Sequence, residues 1–205
     1  AENREKLLSY ASAMWGYFDE LCNKENNFLP PDNIQLAPVR AHAHRTSPTD
    51  IGMMLVSFLA ARDLGFITSQ ELYIRLSMSM KSIDKLEKYK GNLLNWYNTK
   101  DLTPLNPVFV STVDSGNFLC CLTVLKEGLK EYVSECPSLA EIIAWSLKTV
   151  RETDLNALYN KKRGLFYTGI SPENEEKSTS YYDLYISEAR LTSYFAVAHR
   201  IVPKN

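Results

Sequence analysis

The chain has 205 residues, 45% of them hydrophobic and 23% charged, with a formal net charge of −1. That length suits one domain or part of a larger one, and the apolar share can build a core. The near-neutral balance gives no general electrostatic attraction to nucleic acid or to an anionic membrane surface, and no apolar run approaches the roughly 20 residues needed to span a bilayer.

The opening stretch AENREKLLSY lacks the basic and apolar blocks of a signal peptide, so these residues read as soluble. A first helix is expected over 3–23, with Leu7, Leu8, Ala11, Met14, Trp15, Phe18 and Leu21 on one broad face. A long loop containing Pro30, Pro31 and Pro38 follows over 26–47. The second helix starts with Ser47 as N-cap and Pro48 as first helical residue, and stops at Gly65. The third is expected over 69–90, with Lys81, Asp84, Lys85, Glu87 and Lys88 marking an exposed face. A polar, aromatic, proline-broken segment comes next, with a strand-like stretch at VFVSTV. The fourth helix is expected over 115–133 and the fifth over 138–153. A loop with a short hairpin then leads to a sixth over 181–200.

The helices alternate in character. The first, third and fifth have charged outer faces, whereas the centres of the second, fourth and sixth (MMLVSFLAA, NFLCCLTVL, YFAVA) are apolar nearly all round and so should be buried. Antiparallel hairpins of exposed and buried helices are what an α/α toroid requires. The expected fold is therefore all-α: six helices forming half of an (α/α)6 toroid, with short β segments in the loops, and residues 1–205 as a single partial domain. A solenoid would show repeats resembling one another, and these hairpins do not. A half-toroid leaves inner helices uncovered, so its open edge should be covered by further chain or by self-association.

The segments entering the buried helices are RAHAHRTSPTDIG, NWYNTKDLTPLNPVFVSTVDSGN and STSYYDLYISEAR. They carry side chains beyond what a turn needs, and in an antiparallel ring they meet around one mouth, where helix N-termini offer N–H groups to oxygen-rich ligands. Glu188 shares a helical face with Leu184, Leu191 and Phe195. A glutamate in an apolar stripe suits a general acid for glycosidic bonds; the other reading is an ion pair with Arg45 or Arg190, or a wet residue. Asp114 is either a first-turn cap or a catalytic or substrate-binding acid, and Asp183 reads the same way. Asp50 is a routine first-turn acid. Trp96, Tyr97, Tyr181 and Tyr182 are sugar-stacking platforms or loop anchors, with Arg45, Asp183 and Asn117 as polar company. His42 and His44 form an H-x-H without a third ligand cluster, so neither metal nor cofactor is expected. No nucleotide-binding or serine-esterase motif is present. The cysteines Cys22, Cys120, Cys121 and Cys136 form no CxxC pair and read as buried free thiols, which fits a reducing compartment.

The motifs LPPDN (29–33), AHRTSPTDIG (43–52), LAARDLGFI (59–67), LLNWYNT (93–99), VSTVDSGN (110–117) and SYYDLYISEARLTSYFAVA (180–198) together resemble cyclic β-1,2-glucan synthases, in family order across nearly the whole chain. The resemblance implies a large bacterial inner-membrane enzyme. In such enzymes a glycosyltransferase region extends a linear glucan from UDP-glucose, a glucoamylase-like (α/α)6 domain cyclises it by transglycosylation, and a phosphorylase-like region adjusts chain length. This sequence matches the first half of the middle domain, a soluble part expected on the cytoplasmic side. Its partners would be the β-1,2-linked glucan and the rest of the parent enzyme. The sequence is also distantly similar to endo-β-1,2-glucanases. By motif position Glu188 matches the general acid/base and Asp114 another active-site acid. Relatives often carry an acid where this chain has Thr103, so Asp101 is a candidate substitute. The readings to weigh are a cyclising transglycosylase fragment, inactive alone; a non-catalytic carbohydrate-binding or assembly module; and a β-1,2-glucan hydrolase.

Overall fold

Ser and Thr residues set the helix starts. The computed structural model describes residues 2–39, 41–183 and 188–204. Among these are six α-helices: α1 (Glu2–Leu21), α2 (Pro48–Asp63), α3 (Ser69–Lys85), α4 (Thr112–Leu129), α5 (Leu139–Glu152) and α6 (Arg190–Ala198). Ser47 caps α2 and Thr68 caps α3, each in a reciprocal capping box with the acid three residues on, Asp50 or Glu71. Ser111 caps α4 by accepting the Asp114 amide.

α3 is five residues shorter than the periodicity suggests. Leu86 turns extended, and Lys90 and Gly91 adopt left-handed backbone (φ 49° and 80°), the two-residue turn of a hairpin. Any side chain at Gly91 would fall 2.1 Å from the Glu152 carbonyl oxygen. Lys88 stops the helix by donating from Nζ to the carbonyls of Ile83, Asp84 and Leu86 (2.8, 3.2 and 2.9 Å).

The expected all-α class needs correction. The chain also forms β1 (Ile34–Gln35), β2 (Ala41–His42), β3 (Arg45–Thr46), β4 (Lys88–Tyr89), β5 (Asn92–Leu93), β6 (Asn95–Asn98), β7 (Pro104–Ser111), β8 (Tyr159–Asn160), β9 (Leu165–Tyr167), β10 (Gly169–Ser171), β11 (Glu176–Lys177) and β12 (Tyr181–Tyr182). These make a five-stranded sheet in the order β11-β10-β7-β6-β3, a three-stranded sheet β12-β9-β8, and two small hairpins, β1-β2 and β4-β5. The strands at VFVSTV and in the 164–180 hairpin were expected; their assembly into sheets was not. α6 is likewise shorter than expected. Tyr181 and Tyr182 pair with Tyr167 and Phe166 as a strand, so the helix begins only at Arg190.

α4 occupies the centre of the packing, between α2 on one side and α6 on the other, with α5 also against it; α3 packs on α2 and α5, and α1 on α2. The glycines explain how closely α4 is held. A methyl group at Gly52 of α2 would meet Cys121, and one at Gly128 of α4 would meet Leu59. The core runs from Ile51, Met54, Leu55 and Phe58 through Phe118, Leu119, Leu122 and Leu125 to Ile142. α2 and α4 bury most of their apolar centres but leave Met53 and Val124 exposed, and α6 leaves Leu191 and Tyr194 exposed. Cys120 and Cys121 are part-buried thiols whose desolvation pushes both up to about 11, so they are inert at neutral pH.

Candidate functional site

The starts of α2 and α4 are tied together. Thr49 Oγ1, in the first turn of α2, donates to Asp114 Oδ1 in the first turn of α4 at 2.6 Å, and Asn117 Nδ2 donates to the same Thr49 oxygen at 3.1 Å. The sheet explains the juxtaposition. β3 runs directly into the Ser47 cap and β7 into the Ser111 cap, and β6 pairs with both. The entries to both helices therefore emerge from one sheet.

Arg45 pairs with Asn98 across the β3–β6 ladder and lies over the Trp96 ring at 4.8 Å. Its Nε and Nη2 both donate to Asp32 Oδ2 (3.1 and 2.9 Å). Asp32 is delivered by the long loop, where its amide bonds the Arg45 carbonyl at 2.7 Å. Next to Asp32, the Tyr17 hydroxyl donates to the Pro31 carbonyl, and its acidity is pushed to about 12 by burial, then by the negative charges of Asp50, Cys22 and Asp32. Asp50 is itself raised: burial outweighs the lowering effect of the Ser47 hydrogen bonds, and the Asp32 and Asp114 charges add smaller contributions in the same direction as burial.

Tyr182 completes the rim. Its hydroxyl is raised first by burial, then by the charges of Glu188 and Asp114, so both acids lie within electrostatic reach of it. Arg45 and Asp32 beside the start of α2, and Asp114 in the first turn of α4, thus lie at one end of these two helices. The apolar-stripe reading of Glu188 is corrected: Glu188 is exposed in the turn ahead of α6, its stripe neighbour Leu191 is exposed, and Leu184 lies outside the described residues. Asp183 is exposed beside Tyr182. Tyr97 does not reach the mouth. It is fully buried on the opposite side of β6 from Trp96, its hydroxyl donating to the Glu87 carbonyl and accepting from the Leu94 amide (both 2.6 Å). Tyr181 points away from Tyr182, its ring 5.0 Å from Tyr167 and its hydroxyl held by Asn160 at 3.0 Å.

His44 is structural, with Nδ1 2.8 Å from Asn26 Oδ1, which also accepts from Thr99 at 2.9 Å. Asp101 accepts from the Thr103 amide and hydroxyl (3.0 and 2.6 Å), and these bonds hold its carboxyl below the usual range. Thr49, Asp32 and Tyr17 are mouth residues that sequence reasoning did not single out. Asp32 stands in the LPPDN motif, which was the available signal; nothing in the chain's patterning marks the direction of Thr49.

The family described as "Protein of unknown function (DUF3131)" matches residues 9–193. The cyclic β-(1,2)-glucan synthase NdvB of Rhizobium meliloti (strain 1021) is 42% identical over 134 residues, 65% of this chain and 5% of the synthase. Among solved structures, the endo-β-1,2-glucanase of Chitinophaga pinensis, in complex with sophorotriose and glucose, is similar with a TM-score of 0.68 and 12% identity, covering 89% of this chain and 47% of that one. The β-1,2-glucanase of Parabacteroides distasonis is similar with a TM-score of 0.67 and 15% identity, over 86% of this chain and 24% of that one. The fold is shared with these enzymes, and this chain spans less than half the length of each.

Proposed function

Since this chain belongs to the family described as "Protein of unknown function (DUF3131)", we propose that it forms the first half of a helical barrel that holds a linear β-1,2-glucan and takes part in closing it into a ring by transglycosylation. The observation that carries this reading is the 2.6 Å Thr49–Asp114 bond that joins the starts of α2 and α4, with Arg45, on the strand leading into α2, stacked on Trp96. Support comes from the synthase and the two glucanases, whose names join β-1,2-glucan to this sequence or fold.

In this reading Glu188 delivers the proton to the glycosidic oxygen and Asp114 is a second acid of the site. Trp96 and Tyr182 stack on the apolar faces of the glucose rings, and Arg45, Asn117 and Asp183 bind hydroxyls. Carboxylates suffice for such chemistry, so no metal or cofactor enters it. Residues 1–205 act as one partial domain of a larger bacterial enzyme, placed on the cytoplasmic side of the inner membrane. Among the described residues no helix is long and apolar enough to cross a membrane. The open edge lies between α1 and α2, an apolar groove of about 270 Å³ lined by Met14, Trp15, Phe18, Met53, Ala60 and Leu64, which the rest of the barrel or a second copy covers.

A second reading, a glucan-holding module without its own catalysis, is favoured by Thr103: it stands where relatives often carry an acid, and it occupies Asp101, the candidate substitute, in a turn. Titrating the chain with β-1,2-, β-1,3- and β-1,4-glucooligosaccharides while following Trp96 by NMR tests both. Selective β-1,2 binding, lost in Trp96→Ala, is expected. Equal response to all three linkages, or none, overturns the glucan reading.

A further inference from the structure

Three helices open on the same pattern, a hydroxyl residue followed three positions later by an acid: Ser47 and Asp50, Thr68 and Glu71, Ser111 and Asp114. In the first two, the acid folds back onto its own cap. Asp50 Oδ2 accepts from the Ser47 amide and hydroxyl (2.9 and 2.8 Å), and Glu71 Oε2 from the Thr68 amide and hydroxyl (2.7 and 2.8 Å). That closure is the ordinary use of such an acid, because it satisfies donors the helix leaves open.

α4 departs from it. The Asp114 amide still bonds Ser111 Oγ at 3.3 Å, so half of the capping box is intact. Among the described residues, however, the Asp114 carboxylate does not fold back onto the Ser111 cap: only the Ser111 hydroxyl takes part, and the reciprocal half of the box is not made. Among the described residues the hydrogen bond to the Asp114 carboxylate comes instead from another helix, from Thr49 Oγ1. Asn117, one turn on from Asp114, fixes the direction of that bond. Its Nδ2 donates to the Thr49 oxygen, so the one hydroxyl proton of Thr49 is left for Asp114. At 2.6 Å the contact has the length of an O–H···O⁻ bond.

We propose that Thr49 is a positioning residue: backed by Asn117, it holds the Asp114 carboxylate out of its own helix cap and turned into the mouth. Nothing in local helix chemistry requires this arrangement, since the two neighbouring helices show the alternative. A first-turn acid taken off its cap and held by a second helix is pre-set for a ligand beside Tyr182 and Glu188, with little left to reorganise on binding. Thr49 acts through Asp114 and needs no contact with the ligand itself.

The relay itself is testable without a substrate; only its value to ligand binding rests on the glucan reading. In the chain labelled with ¹³C at the Asp carboxyls, Thr49→Val is expected to move the Asp114 carboxyl resonance, because the hydrogen bond it accepts is lost. Thr49→Ser keeps the hydroxyl and is expected to keep the resonance in place. Asn117→Ala, which frees the Thr49 rotor, is expected to move it in the same direction by less, and it carries the test should Thr49→Val fail to fold. β-1,2-Glucooligosaccharide binding is expected to weaken about ten-fold in Thr49→Val and to recover in Thr49→Ser. An Asp114 carboxyl resonance unmoved in both folded Thr49→Val and Asn117→Ala overturns the positioning role. A moved resonance in a chain whose unsubstituted form binds no glucan supports the positioning role and sinks the glucan reading.

Discussion

Gly116 of α4 meets Thr192 of α6 with no room for a side chain: a methyl group there would fall 1.9 Å from Thr192 Oγ1 and 2.7 Å from its Cα. Thr192 is fully buried and donates from Oγ1 to the Thr112 carbonyl at 2.9 Å. Because the clash includes backbone, a rotamer change cannot relieve it. Gly116→Ala is expected to cost about 1–3 kcal/mol of stability. Thr192→Ala should cost about 0.5–1.5 kcal/mol through the buried hydrogen bond to the Thr112 carbonyl that it removes. The double substitution should fall short of the sum, since it removes the 1.9 Å contact. Urea denaturation of the three variants measures all of this.

Glu188→Gln, placed in the full-length parent enzyme, is expected to abolish ring formation and leave linear chain extension intact. Positioned proton transfer is worth about 10²–10⁴-fold, roughly 3–5 kcal/mol of barrier, so the defect is large. Membranes incubated with UDP-glucose, with linear and cyclic products separated, provide the readout. Normal rings would remove Glu188 from the chemistry; loss of both products would point to misfolding.

The open edge predicts association. Met14 is 69% and Met53 52% exposed, on either side of the groove between α1 and α2. Apolar surface of this kind calls for a cover. The chain alone is expected to sediment with concentration-dependent mass, and Met53→Glu to sediment as a monomer. A monomer at every concentration before substitution would contradict the open-edge reading.

Asp50 predicts a pH dependence. Its carboxyl is raised in the folded chain, chiefly by burial. A raised acid favours the folded state while it is protonated, an advantage fully present below its unfolded value near pH 4 and lost as pH rises through the folded value. The stability difference between the chain and Asp50→Asn should therefore move in favour of Asp50→Asn as pH rises from about 4 to 7. Parallel denaturation curves at both pH values, with a constant difference, would show that Asp50 titrates as it does in the unfolded chain.

The helices were legible because their signals are local. Ser47-Pro48 starts α2 and Gly65, at φ 77°, follows its end. The sheets were not legible, because β3, β10 and β12 are only two or three residues long and pair with segments far along the chain. Two residues show no alternation, and the helical spacing of Leu184, Glu188, Leu191 and Phe195 therefore stood unopposed until β12 paired with β9. The same limit hid the split between Trp96 and Tyr97, adjacent on one strand and so on opposite faces. The polar excess ahead of the apolar helices pointed to the starts of α2 and α4, which Thr49 and Asp114 join; what a given acid bonds there depends on a neighbour such as Thr49, which belongs to another helix.

The two sheets meet at Thr112, whose amide and hydroxyl donate to the Thr168 and Tyr167 carbonyls between β9 and β10 (3.2 and 2.7 Å). Arg45 and Trp96 stand on strands of one continuous ladder, β3-β6-β7, and Asp114 follows β7 in the first turn of α4. Tyr182 stands on the other sheet, β12-β9-β8, and Glu188 follows it in the chain. The distance from Glu188 to Asp114, the quantity that decides whether water or a second sugar fits between two acids, is set at the seam between the two sheets rather than within either.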